Sequence, residues 1–167
     1  LQAPPVQDMI REIARRGIRV RLGFRGARVN EIKKMTDAYL SKLAGAGTNI
    51  LHIGAESGSQ RILDMVRKNC TVEDIVEINR KLAGHPEITA AYNWIVGLPG
   101  ETTDDIRATR ALVLQLIREN PRAIIFTPNR FRPLPGTDLY DEAVRRGYVK
   151  PTRLEDWINQ EVEGDFQ

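Results

Sequence analysis

Apolar and polar positions alternate strictly over residues 18–24, where Val20, Leu22 and Phe24 share one side and Arg19, Arg21 and Gly23 the other. That period of two predicts a strand. Asn30 is placed to cap a following helix, which Gly45-Ala46-Gly47 closes. Apolar runs at 49–55, 88–96 and 123–129 predict three more strands, each with a helical pattern behind it. A short helix is expected from Ser59 to Lys68, and another from Thr71, where Thr71-Val-Glu-Asp has the form of a capping box. Thr102 or Thr103 opens a long helix to Glu119, punctuated by Pro121, and Gly136-Thr137 starts one that finishes at Gly147.

Strand and helix in regular succession with short loops predict an α/β fold, about four parallel βα units, as an open sheet or part of a (β/α) barrel. A closed eight-stranded barrel takes about 250 residues, so the chain of 167 residues is too short to close one. Its outer strands would be bare edges, which predicts self-association of the isolated chain. A first residue other than Met suggests a cut or processed piece, and the acidic stretch at 161–166 is read as a cut point in a longer chain. Residues 1–150 are assigned to the barrel portion and 151–167 to an extension.

Composition narrows the partners. The net charge is +3, with 25 basic residues interleaved among 22 acidic ones, the pattern of a solvated surface. No aromatic-studded basic stripe argues for nucleic acid. No apolar run is long enough to cross a bilayer. One cysteine cannot form an internal disulfide, which fits a reducing, cytoplasmic setting.

Ligands in parallel α/β folds bind at the carboxyl ends of the strands. Those ends read Gly23-Phe-Arg-Gly, Gly54-Ala-Glu-Ser-Gly-Ser, Gly97-Leu-Pro-Gly-Glu-Thr and Arg132-Pro-Leu-Pro-Gly-Thr. Glycines there either let a ligand approach the backbone or simply make turns. Glu56, where strand gives way to helix, can accept from two vicinal ribose hydroxyls, or it can cap a helix or pair with an arginine. Lys68 can return an ammonium to the same mouth or remain a solvated charge. Asn93, inside an apolar strand, needs a hydrogen-bond partner or a polar cavity, because burying an amide bare costs about 1–3 kcal/mol. Cys70 reads as a small semi-buried residue, and His52 and His85 are not spaced as metal ligands.

In this order, four features resemble the radical S-adenosylmethionine (SAM) superfamily. They are Arg28 opening a helix into Ala44-Gly-Ala-Gly, Ile53-Gly-Ala-Glu-Ser-Gly-Ser-Gln with Leu63 and Lys68, Gly97-Leu-Pro-Gly-Glu-Thr-Thr-Asp-Asp, and Phe131-Arg-Pro-Leu-Pro-Gly-Thr-Asp-Leu-Tyr with Trp157 beyond. The style is most similar to the subgroup carrying a cobalamin-binding domain; methylthiotransferases and oxygen-independent coproporphyrinogen oxidases are also similar. The resemblance implies that the chain is the C-terminal part of a partial TIM-like barrel. It implies cofactor-binding roles for Glu56 on the SAM ribose, with Ser57 beside it, and for Lys68 on the methionine carboxylate. Asn93 lies near the ribose or adenosine, the backbone of Gly97, Leu98 and Pro99 lines the adenine, and Arg28 belongs to the set without a defined role.

The family's Cys-x-x-x-Cys-x-x-Cys motif, which ligates a [4Fe–4S] cluster, is absent. It is expected upstream, in the other half of the barrel. The intact protein is then expected to cleave SAM to a 5′-deoxyadenosyl radical for methyl transfer or ring rearrangement of a small-molecule substrate, with cobalamin held by another domain, and the chain alone to be inactive. A non-catalytic half-barrel scaffold or nucleotide-binding domain is the rival reading, and an unrelated phosphate-binding α/β enzyme a third.

Overall fold

In the computed structural model, residues 1 and 3–158 are described. Four strands lie in the order β1-β2-β3-β4, all parallel: β1 is Leu22–Ala27, β2 Thr48–Glu56, β3 Thr89–Val96 and β4 Ile124–Ile125. A fifth short segment, β5 (Asn129–Arg130), also pairs with β3, continuing the path of β4 toward the carboxyl end of β3. The break falls around Pro128, which has no N–H to donate to the ladder. The strand expected over 123–129 is therefore two short pairings.

Helices alternate with the strands: α1 Pro4–Arg16, α2 Val29–Lys34, α3 Asp37–Gly45, α4 Gln60–Met65, α5 Val72–Ala83, α6 Thr103–Glu119, α7 Asp138–Arg145 and α8 Leu154–Ile158. The expected extension from residue 151 holds α8, and the acidic 161–166 stretch lies outside the described residues. Helix α1 was not anticipated. Its signals are Pro4 and Pro5 at the start, Val6, Ile10 and Ile13 on one face, and Gly17 in the left-handed region as the stop.

Two expected boundaries are corrected. The first strand begins at Leu22 rather than residue 18, and Ile18 and Val20 are exposed. A strand needs a partner: β2 starts at Thr48, so the ladder opens with the Leu22 N–H donating to the Gly47 carbonyl at 2.8 Å. The helix expected from Asn30 starts after Arg28 and divides at Met35, with Thr36 capping α3 through the Tyr39 N–H. Asn30 donates to the Asn69 carbonyl instead of capping. The capping box at Thr71 is present, with Asp74 as its reciprocal acceptor, and Thr102 and Asp105 form a second at the start of α6.

One face of the sheet builds the core. Leu51, Ile53 and Ala55 of β2 and Ala90, Tyr92 and Trp94 of β3 pack against Ile32, Leu40, Leu43, Leu63, Ile75, Ile78, Leu112 and Leu116 of the helices. Asn79 is wholly buried among them. Its amide donates to the Leu116 carbonyl at 3.0 Å, and its oxygen accepts from the Tyr92 hydroxyl at 3.1 Å, tying α5, α6 and β3 together. Tyr92→Phe leaves that oxygen unpaired and is expected to cost about 1–3 kcal/mol, read from the urea midpoint.

Candidate ligand site at the strand ends

The other sheet face is the more open one. On β2 the alternation leaves Ile50, His52, Gly54 and Glu56 half-buried opposite the core residues. Arg25 and Gly26 of β1, His52, Asn93 of β3, and Phe126, Thr127 and Asn129 line a cavity of about 580 Å³. The His52 and Phe126 rings stack over it, 5.5 Å apart and 9° from parallel. Asn93, paired in register with Gly54, thus has its polar cavity.

Glu56 ends β2 with φ of 65°, in the left-handed region that non-glycine residues enter at a cost of about 1–3 kcal/mol. The Ser57 N–H closes the bend onto the Ala55 carbonyl at 2.8 Å. Lys68 reaches the same carboxylate, its Nζ donating to Glu56 Oε1 at 2.6 Å. Helix α4 ends earlier than expected, and that is why Lys68 turns back. Arg67 takes the left-handed position (φ 51°), its N–H bonds the Asp64 carbonyl at 3.0 Å, and the Lys68 N–H bonds that of Leu63 at 2.9 Å. This is the Schellman pattern that stops a helix and reverses the chain. The pair lies over Gly54: a β-carbon there would come 2.3 Å from Glu56 Oε1 and 2.8 Å from Lys68 Nζ.

The loop after β3 is a turn, with the Glu101 N–H donating to the Leu98 carbonyl at 2.9 Å, Pro99 second and Gly100 third with φ of 76°. Those are the residues a type II turn requires. Glu101 folds back to accept the Gly97 N–H at 2.6 Å, and burial pushes its carboxyl above the ordinary range. Leu98 and Pro99 are buried. Arg28 is exposed at the end of β1.

Ser57 is fully buried and its hydroxyl is engaged, 3.1 Å from that of Thr109 on α6 and accepting the Ser59 N–H at 3.1 Å. The Gly58 N–H donates to Thr109 Oγ1 at 2.9 Å, and Ser59 Oγ to Asp105 Oδ1 at 2.6 Å. Asp105 also accepts from the Thr102 N–H at 2.8 Å, the Thr102 hydroxyl at 2.7 Å, and Arg61. Burial alone would raise its carboxyl, but Arg61, Ser59 and Thr102 together hold it far below the carboxylate range. A carboxyl depressed in the fold stabilises it above the unfolded value near about 4, and that contribution fades as pH falls further. The midpoint of thermal unfolding is expected to drop below about pH 4, and less steeply in Asp105→Asn.

Arg25 and Gly26 belong to the Gly23-Phe-Arg-Gly strand end named from the sequence, whereas Phe126, Thr127 and Asn129 were missed as lining residues. A second depression of about 450 Å³ lies between α4 and α7. Its Arg61, Arg67, Arg145 and Arg146 already face Asp105, Asp138 and Glu142. Cys70 is buried, which pushes its thiol up, and among the described residues no group of three or more His, Cys, Asp or Glu could hold a metal ion. These residues do not fit a [4Fe–4S] cluster; the carboxylate, ammonium and bent backbone at the ends of β2 and β3 do fit a ribose and an amino acid. No helix among them is long and apolar enough to cross a membrane.

Four parallel strands alternating with helices, with polar residues gathered at their carboxyl ends, make an α/β fold of the (β/α) type. The sequence matches the Radical SAM superfamily over residues 1–113, and the chain belongs to that superfamily. It is 34% identical over 110 residues to the tRNA-2-methylthio-N(6)-dimethylallyladenosine synthase of Pasteurella multocida, covering 64% of this chain and 23% of that protein. The synthase of Aeromonas hydrophila is 35% identical over 116 residues, covering 68% and 24%. The chain thus spans about a quarter of the length of these relatives.

Among solved structures, the radical SAM methyltransferase TsrM from Kitasatospora setae, with cobalamin and [4Fe-4S] cluster bound, superposes with a TM-score of 0.63 at 20% identity, over 80% of this chain and 26% of that one. The cobalamin-dependent radical enzyme OxsB gives 0.52 at 19%, over 82% and 19%. The fold is part of a radical SAM barrel.

Proposed function

We propose that the protein containing this chain binds SAM across the carboxyl ends of β2 and β3 and cleaves it reductively. The observation that carries the reading is Glu56, held left-handed at the end of β2 with its carboxylate fixed by Lys68. Glu56 accepts from the two ribose hydroxyls. Lys68, bonded to Glu56 through one N–H, has two more for the methionine carboxylate. Asn93 offers an amide from the cavity wall, and the bent Gly97–Pro99 backbone takes the adenine edge. Ser57 serves by anchoring its loop, because its hydroxyl is engaged. Arg28 keeps its place at the rim.

A [4Fe–4S] cluster held by cysteines elsewhere in the protein would supply the one-electron reduction when bound, while Glu56 and Lys68 of this chain would hold SAM in place for it. The upstream half of the barrel and a small-molecule substrate complete the site in a reducing cytoplasm. We favour methyl transfer with cobalamin on another domain, in line with what TsrM and OxsB bind. Methylthio transfer to a tRNA adenosine is the second reading, supported by the 34–35% identity to the synthases.

The test is the full-length polypeptide, cluster-reconstituted without oxygen and given SAM and dithionite. 5′-Deoxyadenosine is expected by mass spectrometry; none from a protein with a verified cluster contradicts the proposal and favours a non-catalytic scaffold. Corrinoid content separates the two transfer readings. The chain alone, with β1 and β4 at the sheet edges, is expected to self-associate. A clean monomer by sedimentation at high concentration would oppose that.

A further inference from the structure

Two loops carry the proposed SAM contacts, and beyond their own turn bonds both are tied to helix α6. The β2–α4 loop starts from a left-handed Glu56. Ser57, Gly58 and Ser59 are each bonded to side chains of α6. Gly58 lies so close to that helix that a β-carbon would come 2.6 Å from Thr109 Cα and 2.7 Å from the Ala108 carbonyl oxygen. Thr109 accepts the Gly58 N–H, meets the Ser57 hydroxyl, and donates its own proton to the Asp105 carbonyl at 3.0 Å. One turn earlier on the helix, the Asp105 carboxylate takes the Ser59 hydroxyl on one oxygen.

The other Asp105 oxygen belongs to the second loop. It accepts both donors of Thr102, the residue that joins the β3–α6 turn to the helix. Arg61 from α4 bonds to that oxygen as well, and donates to the Gly100 carbonyl at 2.8 Å. One buried carboxylate therefore spans the loop that presents Glu56 and the loop that presents Gly97 to Pro99. Asp105 is 6% exposed and Thr109 9%, so water is largely kept from the bonds to Ser57, Gly58 and Ser59, while Thr102 and Arg61 reach Asp105 from the exposed rim.

We propose that Asp105 and Thr109 are positioning residues, which clasp the two loops together from behind and set the distance between the Glu56 carboxylate and the Gly97–Pro99 backbone. They touch no ligand. They act on SAM binding through Glu56, and the inference rests on the assignment of Glu56 to SAM. A clasp of this kind determines how well the ground state is gripped, so its loss appears in KM for SAM before kcat.

The experiment uses the full-length, cluster-reconstituted protein, with 5′-deoxyadenosine formation followed against SAM concentration. Asp105→Asn and Thr109→Val keep the volume of the side chains and remove the charge or the hydroxyl. Both are to be assayed below their unfolding midpoints. Each is expected to raise KM for SAM about tenfold, as misplacement of a positioned group does, with kcat within about twofold of the parent. Thr109→Ser, which retains the hydroxyl, is expected to restore KM.

In a Glu56→Ala background the same substitutions are expected to add less than about twofold, because coupled residues do not contribute independently. An unchanged KM in folded Asp105→Asn and Thr109→Val overturns the clasp, as does a full additional loss in the Glu56→Ala background. If Glu56→Ala itself leaves KM unchanged, the assignment of Glu56 has failed, and that outcome is distinct from a Glu56 effect without a clasp effect.

Discussion

Gly58→Ala is expected to destabilise the fold by about 3 kcal/mol, the upper end for overpacking a filled interior. The added methyl would meet three backbone atoms of α6, at 2.6 Å, 2.7 Å and 2.9 Å. None is a flexible side-chain end, so either the helix or the loop must move. Helix α6 is fixed by Leu112 and Leu116 in the core and by the Asn79 bond to Leu116. The loop yields instead, breaking the Gly58 and Ser57 bonds to Thr109. For a chain of this size the thermal midpoint is expected to fall by about 6–12 °C. A shift under about 2 °C would show that the contact between loop and helix is looser than described.

Gly54→Ala is expected to do the reverse, sparing the fold and removing the site. Its methyl would fall 2.3 Å from Glu56 Oε1, 2.8 Å from Lys68 Nζ and 3.2 Å from Glu56 Cδ, all movable ends of long side chains. These side chains swing away at little cost to packing, since they are half-buried on the open face. Displacing a positioned group by about 1 Å costs about a hundredfold in function. In the full-length reconstituted protein, SAM affinity is expected to fall by about that factor while the thermal midpoint holds. Wild-type affinity in Gly54→Ala would mean that the carboxylate and ammonium do not touch the ligand.

The two glycines also show how far the sequence could be read. Strands β2 and β3 were legible because mostly apolar runs there are bounded by glycines and helical patterns, and α5 because Thr71 and Asp74 have the form of a capping box. Helix α6 was placed only to Thr102 or Thr103, and its capping box emerged in the structure. Strand-end logic placed Glu56 at the mouth and left Lys68 open between that mouth and solvent; the structure joins the two in one ion pair. The first strand was misplaced because alternation in residues 18–21 reports local sequence, while pairing depends on where β2 begins. The bond of Thr109 to Gly58 spans 51 residues and that of Asp105 to Ser59 spans 46. No local pattern encodes such a contact. Asp105 entered only as the last residue of the Gly97-Leu-Pro-Gly-Glu-Thr-Thr-Asp-Asp feature, and its reach to two loops emerges from where α6 lies against them.

The central claim is that the Glu56 carboxylate at the end of β2 is a SAM contact. Its most direct measurement is a calorimetric titration of SAM into the full-length, cluster-reconstituted protein and into Glu56→Ala with the same iron content. Affinity at least about tenfold weaker in the variant, the loss of about one charge-assisted hydrogen bond, is the predicted result. Equal affinities in two proteins with equal cluster occupancy would contradict it.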